Sequence, residues 1–145
     1  MLSFSKKAGY GLIAMTYLAH LGNQEVASAR EIAERFGIPA SLLMNVLKEL
    51  AVAGCVASVR GSHGGYKLAR SPDQIDLANL VTALDGPIRL AECIQHRPDA
   101  KDHACKVMDR CPIVDPVHRV QRKLNDFLKA VTLADILQPA QIEAD

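Results

Sequence analysis

The sequence predicts a mainly α-helical fold with one small β-hairpin, arranged as a winged helix-turn-helix followed by a long C-terminal helix. Two short helical patterns meet at a tight glycine-containing turn at residues 37–39, as in a helix-turn-helix. Two strand-like runs then enclose a glycine-rich tip at residues 60–65, and apolar residues recur at helical spacing from 115 to 130. With 145 residues, 4% aromatics and no tryptophan, the chain can bury one core built on aliphatic side chains.

The first helix is predicted from Lys6 to Leu21, with Gly22 ending it. Its apolar stripe is expected to face the core and consists of Leu12, Ile13, Tyr17, Leu18 and Leu21.

The second helix begins at a capping box, in which Ser28 caps the amide of Glu31 and Glu31 reaches back. We expect Gly37 to stop this helix in a left-handed conformation. The residues predicted to face inward are Ile32, Ala33 and Phe36.

The third helix follows with Pro39 in its first turn. Its predicted buried stripe is Leu43, Val46, Leu47 and Leu50. Another face presents polar side chains at spacings of four and three residues, which suits a helix lying in the major groove of DNA. These residues are Ser41, Asn45 and Lys48, with Met44 beside them.

The runs at residues 55–59 and 66–69 predict a hairpin wing. Arg60 at its tip could enter a narrow minor groove or clamp a phosphate. The tip glycines let the backbone approach DNA closely, and His63 is interpreted as a loop residue beside them. The glycines are Gly61, Gly64 and Gly65.

A fourth helix is predicted after its cap, Asp76, and ends at Gly86; its apolar residues are Leu77, Leu80, Val81 and Leu84. Residues 87–114 have little periodicity, which in a small domain favours a functional segment. The predicted organisation is a winged helix-turn-helix DNA-binding domain at 1–86, a cysteine-bearing sensor loop at 87–114, and a dimerisation helix and tail at 115–145.

The long C-terminal helix is predicted to start with Asp115 as its cap and Pro116 as its first residue. A long amphipathic helix beyond a folded core needs a partner surface, so we expect a homodimer. The residues expected to line the dimer seam are Val120, Leu124 and Phe127. Thr132 and Asp135 then predict a variant capping box for a last short helix through Leu137.

Charge is divided unevenly along the chain. Residues 1–70 carry eight Lys or Arg against four acids, and residues 71–145 carry nine against twelve. The basic half is expected to face phosphates of a double-stranded DNA operator. The sequence has neither a signal-peptide pattern nor the roughly 20 apolar residues of a membrane span, so a cytoplasmic protein with no membrane partner is expected.

Three of the four cysteines, Cys93, Cys105 and Cys111, lie in the 87–114 segment. Clustered cysteines in a cytoplasmic protein more often bind metal or do redox chemistry than form structural disulfides. Thiolates suit iron-sulfur iron by their softness, and zinc or a redox dithiol remain open. Cys55, at the start of the wing, is interpreted as a small buried side chain.

The chain resembles the Rrf family of dimeric winged-helix regulators from residue 1 to about 137. The resemblance rests on YGLIAM at residues 10–15, IAERFGI at 32–38, SVRGSHGGY at 58–66 and the three clustered cysteines. It implies a DNA-binding transcription regulator, a repressor rather than an enzyme, that senses iron-sulfur status, redox state or nitric oxide. It also implies a homodimer held by the C-terminal helices.

The same resemblance implies an iron-sulfur cluster, 2Fe-2S or 4Fe-4S, on Cys93, Cys105 and Cys111. Where relatives offer a fourth ligand this chain has Val114 and Ala8, so that ligand is unassigned. The candidates in this chain are Asp115, His118, His103 and His96. The resemblance places the base-reading positions at Ser41, Leu42, Met44 and Asn45.

Two alternatives remain. The first is a winged-helix regulator that carries zinc or a thiol redox switch. The second is a cysteine-based redox or electron-transfer protein, for which the wing and the basic N-terminal half are not required.

Overall fold

The computed structural model describes residues 3–22, 25–95 and 105–138. In this part of the chain, helices surround a two-stranded antiparallel hairpin. The elements are α1 (Lys6–Leu21), α2 (Ala29–Phe36), α3 (Ala40–Val52), β1 (Val56–Val59), β2 (Gly65–Leu68), α4 (Leu77–Asp85), α5 (Val114–Ala130) and α6 (Leu133–Leu137). Short 3-10 turns lie at Pro72–Gln74, Glu92–Gln95 and Met108–Arg110. The predicted mainly α fold with a hairpin wing is confirmed.

Side-chain caps fix several helix starts. The Ser28 hydroxyl accepts a hydrogen bond from the Glu31 amide at 3.1 Å, as predicted, but the Glu31 carboxylate accepts from the Tyr17 hydroxyl at 2.9 Å. Asp76 caps α4 through the Asn79 amide at 2.8 Å. These bonds satisfy amides that have no partner within the helix.

Two further predicted helix boundaries are confirmed, and the predicted place of Pro39 is corrected. Thr132 and Asp135 form the complete capping box of α6, and Gly37 ends α2 in the left-handed conformation with φ 65°. Pro39 is the residue before α3 rather than part of its first turn.

The core of the winged helix lies between α1, α2, α3 and α4. The predicted stripe of α3 is fully buried, and Ile32 and Ala33 of α2 join it. Each large aliphatic side chain buried in this way contributes about 1.5–3 kcal/mol. This core holds α3 in place and leaves its opposite face in solvent.

The buried face predicted for α1 was partly wrong. Leu18 is buried and Leu12, Tyr17 and Leu21 are partly buried against the core, but Ile13 is exposed. The fully buried residues of the helix are mostly small: Ala8, Gly11, Ala14, Met15 and Leu18. Gly11 explains the difference, because a Cβ there would overlap Leu84 of α4. Close helix approach requires small residues at this contact.

The larger apolar residues of α1 line a surface groove with Phe36, which is 43% exposed and therefore not the inward residue predicted. The Tyr17 and Phe36 rings meet edge to face at 5.7 Å. The Arg35 guanidinium lies 5.4 Å from the Tyr17 ring centroid, a cation–π distance.

Helix α5 begins at Val114, and Ile113 before it offers no side-chain cap. Asp115 is therefore the second helical residue, not the cap, and Pro116 is the third. Both suit the first turn, where an aspartate favours the helix dipole and proline's missing N–H is not needed.

After α5 the chain returns to the winged-helix core. The Leu77 amide donates to the Val131 carbonyl and the Leu133 amide to the Ile75 carbonyl, both at 2.8 Å. Leu133 is 1% exposed and packs in the same core as α3 and α4. Among the described residues, no helix is long and apolar enough to cross a membrane.

Candidate functional site

The outer face of α3 is the first part of the candidate DNA surface. All five residues predicted there are exposed: Ser41, Leu42, Met44, Asn45 and Lys48. The acid of this helix, Glu49, lies 2.6 Å from the Lys7 ammonium, which offsets its charge. Lys48 therefore sets the charge of the exposed face.

The wing tip is the second part. Arg60, Gly61 and His63 are exposed, and Gly61 has φ +123°, a conformation that side chains disfavour. The Gly64 amide donates to the Gly61 carbonyl at 3.0 Å, and a Cβ on Gly64 would overlap the Val59 carbonyl. Glycines thus turn the chain tightly and leave Arg60 at the end of β1 facing solvent.

Residue Ala27, just before α2, anchors the wing to the helix-turn-helix. The Tyr66 amide donates to the Ala27 carbonyl at 2.8 Å, and the Ala27 amide donates to the Tyr66 carbonyl at 3.0 Å. A Cβ on Gly65 would overlap that Ala27 carbonyl. Gly65 therefore allows the wing to pack closely against Ala27, which fixes the position of the wing relative to α2.

The three clustered cysteines lie on short turns outside the core. Cys93 belongs to the turn Glu92–Gln95, and Cys111 directly follows Met108–Arg110. The Cys105 carbonyl accepts from the Met108 amide at 3.2 Å. Each is partly exposed, which is typical of a reactive thiol.

Cys55 contrasts with them. It is completely buried, and burial raises the pKa of its thiol, while Arg70 opposes part of that shift. The interpretation of Cys55 as a buried structural side chain is confirmed.

The described residues do not bring the predicted ligands together: none of their His, Cys, Asp and Glu side chains form a group of three that could hold a metal ion. His96 and His103 lie outside the described residues. By type, three accessible thiols fit an iron-sulfur cluster or zinc. Asp115 and His118 lie one turn apart on α5 and line a cavity of about 320 Å³ with Arg119 and Arg122.

Sequence reasoning missed Gln121, which is 5% exposed and the buried polar side chain of the described structure. Its Nε2 donates to the Ile88 carbonyl at 2.7 Å and its Oε1 accepts from the Leu90 amide at 2.9 Å. Nε2 also donates to Asn125 Oδ1 at 2.9 Å. The inward position of this glutamine could have been predicted from helical spacing. It lies on the same face of α5 as three apolar residues, Val117, Leu124 and Leu128.

The predicted dimer residues include two that are well exposed, Val120 at 54% and Phe127 at 63%. Leu124 is partly buried and lines a groove with Phe4 and Ile88 of the same chain. The dimer seam itself stays a prediction.

A helix-turn-helix whose outer face is exposed and whose glycine-tipped wing carries an arginine defines a winged-helix DNA-binding protein. The family Rrf2, described as iron-dependent transcriptional regulator, matches residues 4–139. The chain therefore belongs to the Rrf2 family of transcriptional regulators, which are not enzymes.

Individual relatives agree with this assignment. The chain is 33% identical over 142 residues to the HTH-type transcriptional regulator IscR of Sodalis glossinidius, covering 97% of this chain and 82% of that one. The solved structure of T. potens IscR superimposes with a TM-score of 0.67 at 30% sequence identity, and the match covers 99% of this chain and 94% of that one. CymR, the global cysteine regulator of B. subtilis, is 28% identical with TM-score 0.71, covering 94% and 97%.

Proposed function

We propose that this protein is a cytoplasmic, homodimeric transcriptional repressor whose operator affinity is controlled by an iron-sulfur cluster on Cys93, Cys105 and Cys111. The observation that carries the proposal is the position of these thiols. They are accessible, and they lie in the segment that joins α4 of the winged helix to α5. Gain, loss or oxidation of a cluster on these thiols would therefore act on both α4 and α5.

DNA recognition is assigned to two surfaces. Ser41, Leu42, Met44 and Asn45 of α3 read base edges in the major groove, and Lys48 contacts a phosphate. Arg60 at the wing tip reaches the minor groove or a phosphate, with the neighbouring glycines and His63 against the backbone.

Gln121 connects the sensor segment to α5. Its two hydrogen bonds to the backbone of residues 88 and 90 lie close to Cys93 along the chain. A bound cluster would supply a charge that depends on iron, oxygen or nitric oxide. The protein's part is to transmit a change in the segment through Gln121 to α5, where each 1.4 kcal/mol of differential stabilisation changes operator affinity about tenfold.

The fourth ligand is drawn from Asp115, His118, His103 and His96, or is a small exogenous molecule. Asp115 and His118 lie at the start of α5, directly after Cys111 in the chain. A site with three thiolates and one weaker ligand is more labile than a four-thiolate site, as a sensor requires.

Purification without oxygen tests the proposal. We expect a brown protein that contains iron and acid-labile sulfide. Cys93→Ala, Cys105→Ala and Cys111→Ala should each bleach it, whereas Cys55→Ala, the matched control, should leave the colour intact. A colourless protein with stoichiometric zinc would contradict the cluster.

The second candidate is a thiol switch or structural zinc in the same segment. It is supported by the partial exposure of the three thiols, which suits a reactive cysteine, and by the likeness to a protein named as a cysteine regulator. A metal-free protein whose operator affinity changes with thiol oxidation would favour it. The electron-transfer alternative has no counterpart to the exposed α3 face and wing.

A further inference from the structure

We propose that a cavity between α4, α5 and the start of the sensor segment binds a small aliphatic carboxylate that has no ammonium group. The cavity has a volume of about 320 Å³, roughly ten times the ~30 Å³ that one water occupies in the liquid. That volume is at the lower end of the range for small-molecule sites. It shares no residue with the candidate DNA surface or with the three cysteines.

The cavity walls are fixed by hydrogen bonds. Gln121 forms one wall, and its bonds to Ile88, Leu90 and Asn125 hold the sensor segment against α5. On the α4 side, the Asn79 Nδ2 donates to the cap Asp76 at 2.6 Å. These bonds hold the Gln121 and Asn79 side chains in place without a ligand, which lowers the entropic cost of binding against them.

The charge of the lining selects an anion. Arg89 and Lys129 line the cavity, and none of the described residues that line it is an acid. Within the described residues neither of the two forms an ion pair, since the ion pairs found there join Lys7 to Glu49 and Arg30 to Glu34. Two unpaired cations from different elements fit one carboxylate, which can accept charge-assisted hydrogen bonds from both.

The rest of the lining defines the body of the ligand. Ile88, Ile94 and Leu128 supply an apolar surface, and Asn79, Thr82 and Asn125 supply amide and hydroxyl groups. An amino acid is disfavoured because its ammonium would face two cations, and the described lining residues offer no carboxylate to pair with it. A branched 2-oxo acid matches the apolar surface, the donors and the two cations.

Calorimetric titration of the full-length protein with 4-methyl-2-oxopentanoate tests the inference. We expect saturable binding with a Kd at or below about 1 mM. Leucine, which has the same carbon skeleton but carries the ammonium, should bind at least about tenfold more weakly. Inorganic phosphate should also bind weakly because it has no apolar body.

Variants locate the site. Arg89→Gln and Lys129→Gln should each weaken binding about tenfold, whereas Lys123→Gln removes a charge from α5 outside the cavity and should leave binding unchanged. Ala78→Leu should fill the cavity and abolish binding, with circular dichroism to check folding. Absence of saturable binding, equal binding of leucine or phosphate, or binding insensitive to Arg89 and Lys129 would each overturn the proposal. The titration does not require a cluster, because Cys93, Cys105 and Cys111 are not among the described residues that line the cavity.

Discussion

The Gln121 side chain of α5 accepts a hydrogen bond from the backbone amide of Leu90 at 2.9 Å, across 31 residues of sequence. The same side chain also donates to the Ile88 carbonyl. Gln121 therefore satisfies both an N–H and a carbonyl of the backbone of residues 88–90. The contact joins the helix that is proposed to dimerise to the segment that is proposed to sense.

Gln121→Leu should destabilise the protein by about 2–6 kcal/mol, because two part-buried backbone groups lose their partners and each costs about 1–3 kcal/mol. Urea unfolding measures the loss, and hydrogen exchange should show faster exchange at Leu90. Asn125→Ala is the matched control. It removes one bond at an exposed position and should cost less than about 1 kcal/mol. Equal losses in the two variants would contradict the importance of the backbone bonds.

Gly65→Ala should destabilise the wing by about 1–3 kcal/mol, since the new methyl overlaps the Ala27 carbonyl at a positive φ. Gly9→Ala is its counterpart inside α1, where a Cβ meets nothing within 4 Å. That change should stabilise the protein by about 0.5–1 kcal/mol. Thermal unfolding compares the two, and a tolerated alanine at 65 would show that the wing shifts freely.

Arg60→Ala should weaken operator binding and reduce the slope of log affinity against log salt by about one, if Arg60 neutralises one phosphate. Fluorescence anisotropy at several salt concentrations measures both. Lys123→Ala removes a charge from α5 and should leave the slope unchanged. If Arg60 reads a narrow minor groove instead, the loss should depend on A-tract sequence; unchanged binding to all DNA would exclude it from the interface.

Phe127→Asp should dissociate the dimer, because a charge in an apolar seam is costly. Phe127 is 63% exposed within one chain, so the monomer should remain folded. Operator affinity should fall with dimerisation, since a single subunit contacts one half-site. Leu124→Asp should dissociate it too, with added loss of stability from the groove around Phe4. Analytical sedimentation measures the oligomeric state of Phe127→Asp, with Lys123→Asp as the control on α5. If Phe127→Asp remains a dimer, the dimer interface must lie on another face of the protein.

The buried thiol of Cys55 should make the folded protein less stable at alkaline pH. Burial raises the pKa of its thiol, so the folded chain holds the proton more tightly than the unfolded chain. The resulting stabilisation is complete below the ordinary cysteine pKa of about 8.5 and is lost as pH rises through the raised value. Urea unfolding at about pH 7.5 and about pH 10 should show a larger decrease for the wild type than for Cys55→Ala. If the free energy of unfolding falls equally in the two proteins, the Cys55 thiol does not contribute to this pH dependence.

The sequence predicted the elements because caps and helical spacing are local signals. Ser28, Asp76 and Thr132 each cap the helix they were expected to start. The buried face of α1 could not be predicted in this way. Its close packing against α4 depends on Gly11, and the apolar residues that were expected to be buried line the surface groove, except Leu18: Leu12, Ile13, Tyr17 and Leu21.

The residues of the candidate site also differ in whether a local sequence pattern predicts them. The exposure of Asn45 and Arg60 follows from the helix-turn-helix and wing patterns. The role of Gln121 depends on residues 88 and 90, far away in sequence, so its inward position was the only local signal. Asp115 was expected as a cap because it precedes a proline, but the helix starts one residue earlier.

The return of Leu133 to the core links folding to the order of synthesis. A chain grows from its N-terminus, and Leu133, which packs in the same core as Ile75 and Leu80, follows the cysteines and α5 in the sequence. A nascent chain consequently cannot place Leu133 in this core before the ribosome has made residues 87–132. The DNA-reading domain therefore acquires its last buried side chain only after the segment that is proposed to regulate it has been made.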